Sequence, residues 1–494
     1  MKNLFITTSL LILYCSVGYF SYGYDDEFFN IRLIEKLGYG AVSFLQTTDI
    51  HPPGSYFIDA FLFSVFGKWE LVRLCISLIT AISLSYAIIS IHKRNGSFAG
   101  IISFILLGLN PAILLWCTSI RWYAFFVPIL IWLSIIPKKQ NWLYWAKCFG
   151  GLILLAYFGY IVLIIALPIL YLYWNSNDEN KIKKIKAMIL YGSISFILYS
   201  YQLFIFLTVH LKNKDTQVSS FIKSLYGIYS SQISNQGVFP LSIPGIITSI
   251  ATIGIFITVF YSDLKSNIQN KYFVSYSMAT FFTFITGIAS KIRNLLIISP
   301  WLAIWLSTTN IKSSHKKIFI FFLTFISIGN LWGDYNIITH QNTIKTNFNL
   351  PVQPVLDDLK AELAKSENDL VILCHDPKLT WHLNHAGYLV IGPYSHSILS
   401  SKIFQSKHQC VIILKTWSGV NSEYLKKMYG EVKLLHFNNS SEQKFGHDDF
   451  YLFKKKLTPF YPEYMIEVTK LYSVENLEVL KSWLPIKAEI FGYE

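Results

Sequence analysis

Apolar residues come in long, nearly unbroken runs over the first two-thirds of the chain, separated by short polar loops. The runs are roughly 17–25 residues long, the length a helix needs to cross the hydrocarbon core of a bilayer. They predict spans over 3–22, 70–91, 97–116, 121–137, 142–157, 158–174, 186–209, 241–261, 271–289, 294–310 and 317–333, about eleven in all. A cleaved signal peptide is the rival reading of the first run, since Ser16-Val17-Gly18 is a small-residue cleavage site. The later runs need a membrane under either reading. The segment Pro52–Gly67 is apolar but short and opens on two prolines, which predicts an interfacial or re-entrant helix.

At about Asp334 the pattern changes to that of a soluble domain. Helical stretches are expected at 353–366, 396–407 and 421–429, and strands at Leu370–Cys374, Tyr388–Ile391, Cys410–Leu414, Val432–Phe437 and Phe450–Phe453. Strands alternating with helices predict an α/β domain over 334–494. It has no Gly-rich phosphate loop, so no cofactor is assigned to it. Residues 1–333 form the membrane domain, and 24–67 its first outer loop.

Composition agrees. Of the 494 residues 53% are hydrophobic and 14% charged, against about 25% charged in an ordinary soluble chain. The formal charge of +13 would point to nucleic acid in a soluble protein. Here the basic residues lie in short loops between spans, which excludes that class and sets orientation instead. Lys93 and Arg94, Lys138 and Lys139, Lys181 to Lys184, Lys265 and Lys271, and Lys312 to Lys317 fall in alternate loops. The positive-inside rule makes those loops cytoplasmic. The first outer loop, the 210–240 loop and everything after 334 are then extracytoplasmic, as in a bacterial-type inner membrane protein. Cys15, Cys75, Cys117 and Cys148 lie in or beside spans without metal-ligand spacing, while Cys374 and Cys410 are either a disulfide pair or two buried thiols.

Polar chemistry concentrates between Tyr24 and Tyr56. Asp25-Asp26-Glu27 opens an amphipathic stretch with Phe28, Phe29, Ile31, Ile34 and Leu37 on one face and Asn30, Arg32, Glu35 and Lys36 on the other. Asp26 can act as a general base, with Glu27 or Asp25 orienting it or binding a metal. The same acids are also what a helix N-terminus favours. Asp49 and His51 point the same way on an extended chain, as a second polar wall or a metal half-site, or as a plain turn before Pro52-Pro53. Arg121, with Tyr123 beside it, and Lys291 and Arg293 are basic residues on the outer side, where an anionic ligand or lipid phosphates would hold them. The 210–240 loop, with Phe221, Leu225, Ile228 and Tyr229, is either a lid lying on the membrane or a linker.

The order of these motifs resembles the GT-C glycosyltransferases. One span is followed by Asp26-Glu27, an amphipathic helix, Asp49-x-His51-Pro52-Pro53, Phe66-Gly67, Arg73, Pro111 and Arg121-x-Tyr123. The branch it looks most similar to contains the protein O-mannosyltransferases and the aminoarabinose transferase of lipid A. The resemblance covers most of residues 1–310. It implies a sugar donor linked to a polyprenyl phosphate, used on the outer face with inversion at the anomeric carbon. It makes Asp26 the catalytic base, Glu27 its neighbour, Asp49 and His51 the second outer-loop motif, and Arg293 a donor-phosphate contact. Lys291, Arg121 and Tyr123 are the further donor-phosphate candidates. A divalent metal is a candidate cofactor, with Asp26, Asp49 and His51 its candidate ligands. The chain departs from the aminoarabinose transferase type in having fewer spans and no evident metal-binding His in 210–240.

The expectation is therefore a polytopic α-helical membrane glycosyltransferase of GT-C type with a C-terminal extracytoplasmic α/β domain. Its acceptor is a cell-surface glycan, lipid or protein. A surface-polysaccharide polymerase or ligase, and a transporter, are the rival classes. The first would use a large mid-chain loop, and the second would need broken helices in related halves.

Overall fold

The computed structural model describes residues 2–21, 23, 25–43, 52–137, 142–177, 179–210, 224–225, 228–233, 243–286, 296–340, 370–374, 377–387, 390–391, 409–415, 432–435 and 450–456. Along the chain the helices are α1 (Lys2–Phe20), α2 (Asp25–Leu37), α3 (Gly54–Phe66), α4 (Trp69–Ser103), α5 (Pro111–Cys117), α6 (Tyr123–Ser134), α7 (Trp142–Phe158) and α8 (Val162–Asn175). They continue with α9 (Lys181–Ile205), α10 (Ile243–Ser262), α11 (Leu264–Gln269), α12 (Lys271–Ile285), α13 (Ser299–Thr308) and α14 (Ser313–Ile338). After these come β1 (Leu370–Cys374), α15 (Pro377–His385), β2 (Val390–Ile391), β3 (Gln409–Lys415), β4 (Val432–Leu435) and β5 (Phe450–Lys456). The chain divides into two compact units, one of residues 1–21 and 38–344, the other of 22–37 and 345–494.

The first unit is the helical bundle. Among the described residues, five of its helical stretches are long and apolar enough to cross a membrane, and four shorter apolar helices accompany them. The outward faces are apolar. On α9, Ile189, Phe196, Ile197, Tyr201 and Phe204 are exposed, as lipid contact requires. Helix lies within each of the predicted spans, though several are shorter or broken. α4 doubles back at Gly96, whose φ of 88° lies in the left-handed region open to glycine. The predicted span 97–116 is broken by a π turn at Phe104–Gly108, where the Leu109 amide reaches back to the Phe104 carbonyl. It restarts as α5 because Pro111 suits the first helical position and the Asn110 side chain accepts from the Ala112 and Ile113 amides. α14 runs on to Ile338, so Asp334, the expected start of the soluble domain, is a buried residue within a helix.

Close packing comes from small residues, and specificity from side chains bonded to carbonyls of other helices. A Cβ on Gly18 of α1 would meet Ser77 and stand 3.1 Å from the Arg73 carbonyl of α4. The end of α6 is the densest junction. Its final carbonyls have no partner within the helix. The Leu133 carbonyl accepts from the Tyr173 hydroxyl at 3.2 Å and the Ser134 carbonyl from Tyr272 at 3.3 Å. The Ile135 carbonyl accepts from Lys147 Nζ at 2.8 Å and the Ile136 carbonyl from Arg94 Nη1 at 2.6 Å. The Ser134 hydroxyl also accepts from Trp301 Nε1 at 2.8 Å. Donors from α4, α7, α8, α12 and α13 thus converge on one helix end, two of them cations at its negative pole.

The second unit holds a five-stranded sheet in the order β2-β1-β3-β5-β4. β1 lies parallel to β2 and β3, while β5 lies antiparallel to β3 and β4. β1, α15 and β2 form a βαβ unit, and the strands fall on the predicted positions. The expected helices at 353–366, 396–407 and 421–429 lie outside the described residues. The register rules out the Cys374–Cys410 pair. Cys410 stands opposite Val371 and Cys374 opposite Ile413. A stagger of three residues separates the two by about 10 Å along the strands, beyond the reach of a disulfide.

α2 belongs to this second unit. Phe28 packs on Trp381 and His382 of α15. Glu35 Oε2 accepts from Trp381 Nε1 at 2.8 Å, and Lys378 Nζ donates to the Gly23 carbonyl at 3.3 Å. The sequence predicts a two-faced helix. In the structure Asn30 and Arg32, assigned to its polar face, are buried alongside Phe28, Ile31 and Ile34.

Tyr173→Phe should expose the importance of the α6 terminus. It leaves the buried Leu133 carbonyl without its donor, an expected loss of about 1–3 kcal/mol. A thermal melt of the purified protein reads it, with Tyr335→Phe, an exposed tyrosine of α14, expected to leave the midpoint in place.

Candidate active site

The predicted site residues fall in both units, and each unit is built separately. In the bundle, the stretch Thr118–Trp122 joins α5 to α6 as a buried turn. The Thr118 hydroxyl donates to the Leu114 carbonyl at 2.8 Å and the Ser119 hydroxyl to Trp116 at 2.7 Å. The Arg121 amide donates back to Ser119 at 2.9 Å, and the Arg121 carbonyl accepts from Ala124 at 3.0 Å, opening α6. The turn thereby holds the Arg121 side chain at 7% exposure. A guanidinium kept that deep needs partners that match its charge. Tyr123 is buried beside it, its ring 5.6 Å from Trp116 and 4.0 Å from Trp122.

The Trp122 ring lies over Gly159, where a Cβ would stand 3.1 Å away. Gly159 follows α7 directly, and the end of α7 also receives the first outer loop. Pro52 and Pro53 lead into α3, and a Cβ on Gly54 would stand 2.5 Å from the Tyr157 carbonyl. The Pro-Pro-Gly corner and the Arg121-Trp122-Tyr123 turn therefore meet one short segment, Tyr157 to Gly159. The corner extends into an aromatic and polar wall. The Tyr157 hydroxyl donates to the Leu198 carbonyl at 3.1 Å, its ring lies 6.1 Å from Tyr199, and Tyr160 lies 4.6 Å from Phe206. Phe206 begins a second π turn, Phe206–His210.

Asp49, His51, Lys291 and Arg293 lie outside the described residues. So does the 210–240 loop apart from residues 210, 224–225 and 228–233. In the second unit, Asp26 falls in the first turn of α2. Glu27, next to it, is fully buried. Among the described residues no three His, Cys, Asp or Glu side chains gather as a metal site.

Two carboxylates escape sequence reasoning. Asp59 of α3 is fully buried, and Asp334 of α14 is 4% exposed. Neither oxygen of Asp334 has a hydrogen-bond partner among the described residues. It lies near the Tyr14 hydroxyl, whose own proton goes to the Gly108 carbonyl at 3.3 Å. The signal was present in both cases as a lone acid in an otherwise apolar helix, a position that marks function more often than chance.

No family model and no curated protein matches this chain. Solved structures do. The crystal structure of ArnT from Cupriavidus metallidurans in the apo state is 9% identical, with 91% of this chain and 97% of that chain covered and a TM-score of 0.55. The structure of the same protein bound to undecaprenyl phosphate is 11% identical, with 93% and 99% covered and a TM-score of 0.51. The likeness is one of fold, that of a multi-pass helical membrane protein, and it runs nearly end to end in both chains.

The docking of α3 on α7 can be tested at Gly54. Gly54→Ala forces a Cβ into the Tyr157 carbonyl and should cost about 1–3 kcal/mol of stability. Gly150→Ala, in the same α7 but with nothing within 4 Å, should stabilise by about 0.5–1 kcal/mol. Thermal midpoints of the two variants, measured together, separate a packing constraint from a general intolerance of alanine.

Proposed function

We propose that this protein is a glycosyltransferase that moves a sugar from a polyprenyl-phosphate carrier to a cell-surface glycan, lipid or protein, on the outer face of the inner membrane. The observation that carries the reading is the near end-to-end likeness of fold to ArnT, one of whose structures holds undecaprenyl phosphate. The order of motifs from Asp26 to Tyr123 supports it independently, since it does not rest on the fold comparison.

The roles follow from the chemistry. The acceptor hydroxyl attacks the anomeric carbon as the bond from that carbon to the phosphate oxygen breaks, inverting its configuration. The carrier leaves as the polyprenyl phosphate anion. Asp26 takes the acceptor proton, which is needed only as the new bond forms and suits a carboxylate. Glu27, in the same first turn of α2, orients it. Arg121, Lys291 and Arg293 stabilise the charge growing on the leaving phosphate, and Tyr123 fixes the Arg121 turn. Asp49 and His51 form the outer-loop wall, and with Asp26 they are the residues that would hold a divalent metal. Such an ion would supply further neutralisation of the leaving phosphate.

The test uses purified wild type and Asp26→Asn against a panel of labelled polyprenyl-phosphate sugars. Wild type is expected to release or transfer the sugar from at least one donor. The variant should lose about 10²–10⁴-fold in rate while expressing and melting as wild type does. Undiminished turnover by Asp26→Asn would remove Asp26 from the role of base. Failure of every donor to bind would sink the carrier-lipid reading itself.

A further inference from the structure

The bundle has a second polar feature, far from the Arg121 turn. α6 starts just after Arg121 and ends at Ser134, followed by Ile135 and Ile136. The side chain that meets the Ile136 carbonyl is Arg94, so Arg94 and Arg121 mark opposite ends of the same helix. Arg94 also lines an open cavity of about 1000 Å³. The cavity is walled by the end of the first half of α4, by α8, by the joint from α10 through α11 to α12, and by Thr308 of α13. Its charged lining residues are Arg94, Lys265 and Lys271 against Asp263 alone.

The lone carboxylate is already engaged. Asp263 caps α11, accepting from the Ser266 amide at 3.1 Å. Asn270 caps α12 by accepting from the Tyr272 amide at 2.9 Å, and its amide donates to Thr308 at 3.3 Å. Lys271 and Tyr272 at the start of the 15-residue α12 face the cavity. The positive end of a helix dipole thus adds to three cationic side chains in one concave space. The volume lies at the upper end of small-ligand sites, larger than a single inorganic ion needs.

We propose that this cavity is a binding site for a phosphate-bearing anion, supplied by an anionic phospholipid headgroup or by free phosphate, at the end of α6 opposite the Arg121 turn. Arg94, held at the α6 terminus through one N–H, lines the cavity with a guanidinium suited to phosphate oxygens, while Lys265 and Lys271 contribute point charges. The lysine-rich loops at this end are those the charge pattern assigns to the cytoplasmic side, where anionic lipids raise the local demand for such a site. The proposal does not depend on the glycosyltransferase reading.

The experiment is native mass spectrometry of the full-length protein with phosphatidylglycerol or phosphatidylcholine added. Three forms are compared: wild type, Lys265→Gln/Lys271→Gln, and Lys181→Gln/Lys183→Gln. The last removes two exposed lysines of α9 that do not line the cavity. Wild type and the α9 control should retain phosphatidylglycerol over phosphatidylcholine, and the cavity variant should lose about tenfold in that adduct. Lys265→Arg/Lys271→Arg should keep it, which separates lost charge from lost folding. In a parallel arm, inorganic phosphate alone is tested for a rise in melting temperature. A rise abolished in the cavity variant, with no phosphatidylglycerol preference, would identify free phosphate as the source. If neither phosphatidylglycerol nor phosphate binding changes with Lys265 and Lys271, or the α9 control loses as much, the site is overturned.

Discussion

A backbone carbonyl inside a bilayer must find a donor from the protein, because no water is there to supply one. This chain breaks its helices often, at Gly96, at two π turns, before Pro111 and after Ser134. Each break releases carbonyls, and the bundle is organised by what captures them. Tyr14 and Asn330, from α1 and α14, donate to Gly108 and Ile105 of the first π turn. Tyr173, Tyr272, Lys147 and Arg94 capture the end of α6. The first helix, the last helix and the middle of the chain are tied through unsatisfied backbone rather than through apolar contact, which lipid tails could replace equally well.

The same breaks make room for chemistry. α6 is only 12 residues long, so the turn before it carries Arg121 inward while its other end anchors Arg94 beside a basic cavity. An unbroken span would have put Arg121 at the membrane surface, where long cationic side chains reach water without help. Shortening the helix buries Arg121 in the turn before it, while Arg94, which stays exposed, is tied to the Ile136 carbonyl just past its other end.

Much of this architecture was legible in the sequence, for a physical reason. Spans are read from apolar length, and helices do occupy those stretches. Strands are read from β-branched runs, and Leu370–Cys374 falls residue for residue on β1. What periodicity cannot show is where a span is interrupted. The 97–116 run reads as continuous because Phe104–Gly108 is as apolar as its neighbours, and only the Asn110-Pro111 pair signals a restart. Nor can it show which acids become buried. Asp334 reads as the first residue of a soluble domain because it follows a long apolar run. Its place inside α14 depends on the helix running four residues further, to Ile338. The three-residue stagger that separates Cys374 from Cys410 is invisible for a similar reason, since register is set by partners and not by the strand itself.

The position of α2 shows how local pattern and tertiary role can part. Its sequence has the alternation of an interfacial helix, and a bilayer would accept it as one. Trp381 offers a partner that a bilayer does not. Its ring takes Phe28, and its N–H meets Glu35, two turns further along the same face. An indole can satisfy an aromatic ring with its body and a carboxylate with its N–H, and so holds apolar and polar positions of one helix face at once. That explains why α2 groups with residues 345–494 and not with the bundle that precedes and follows it in sequence.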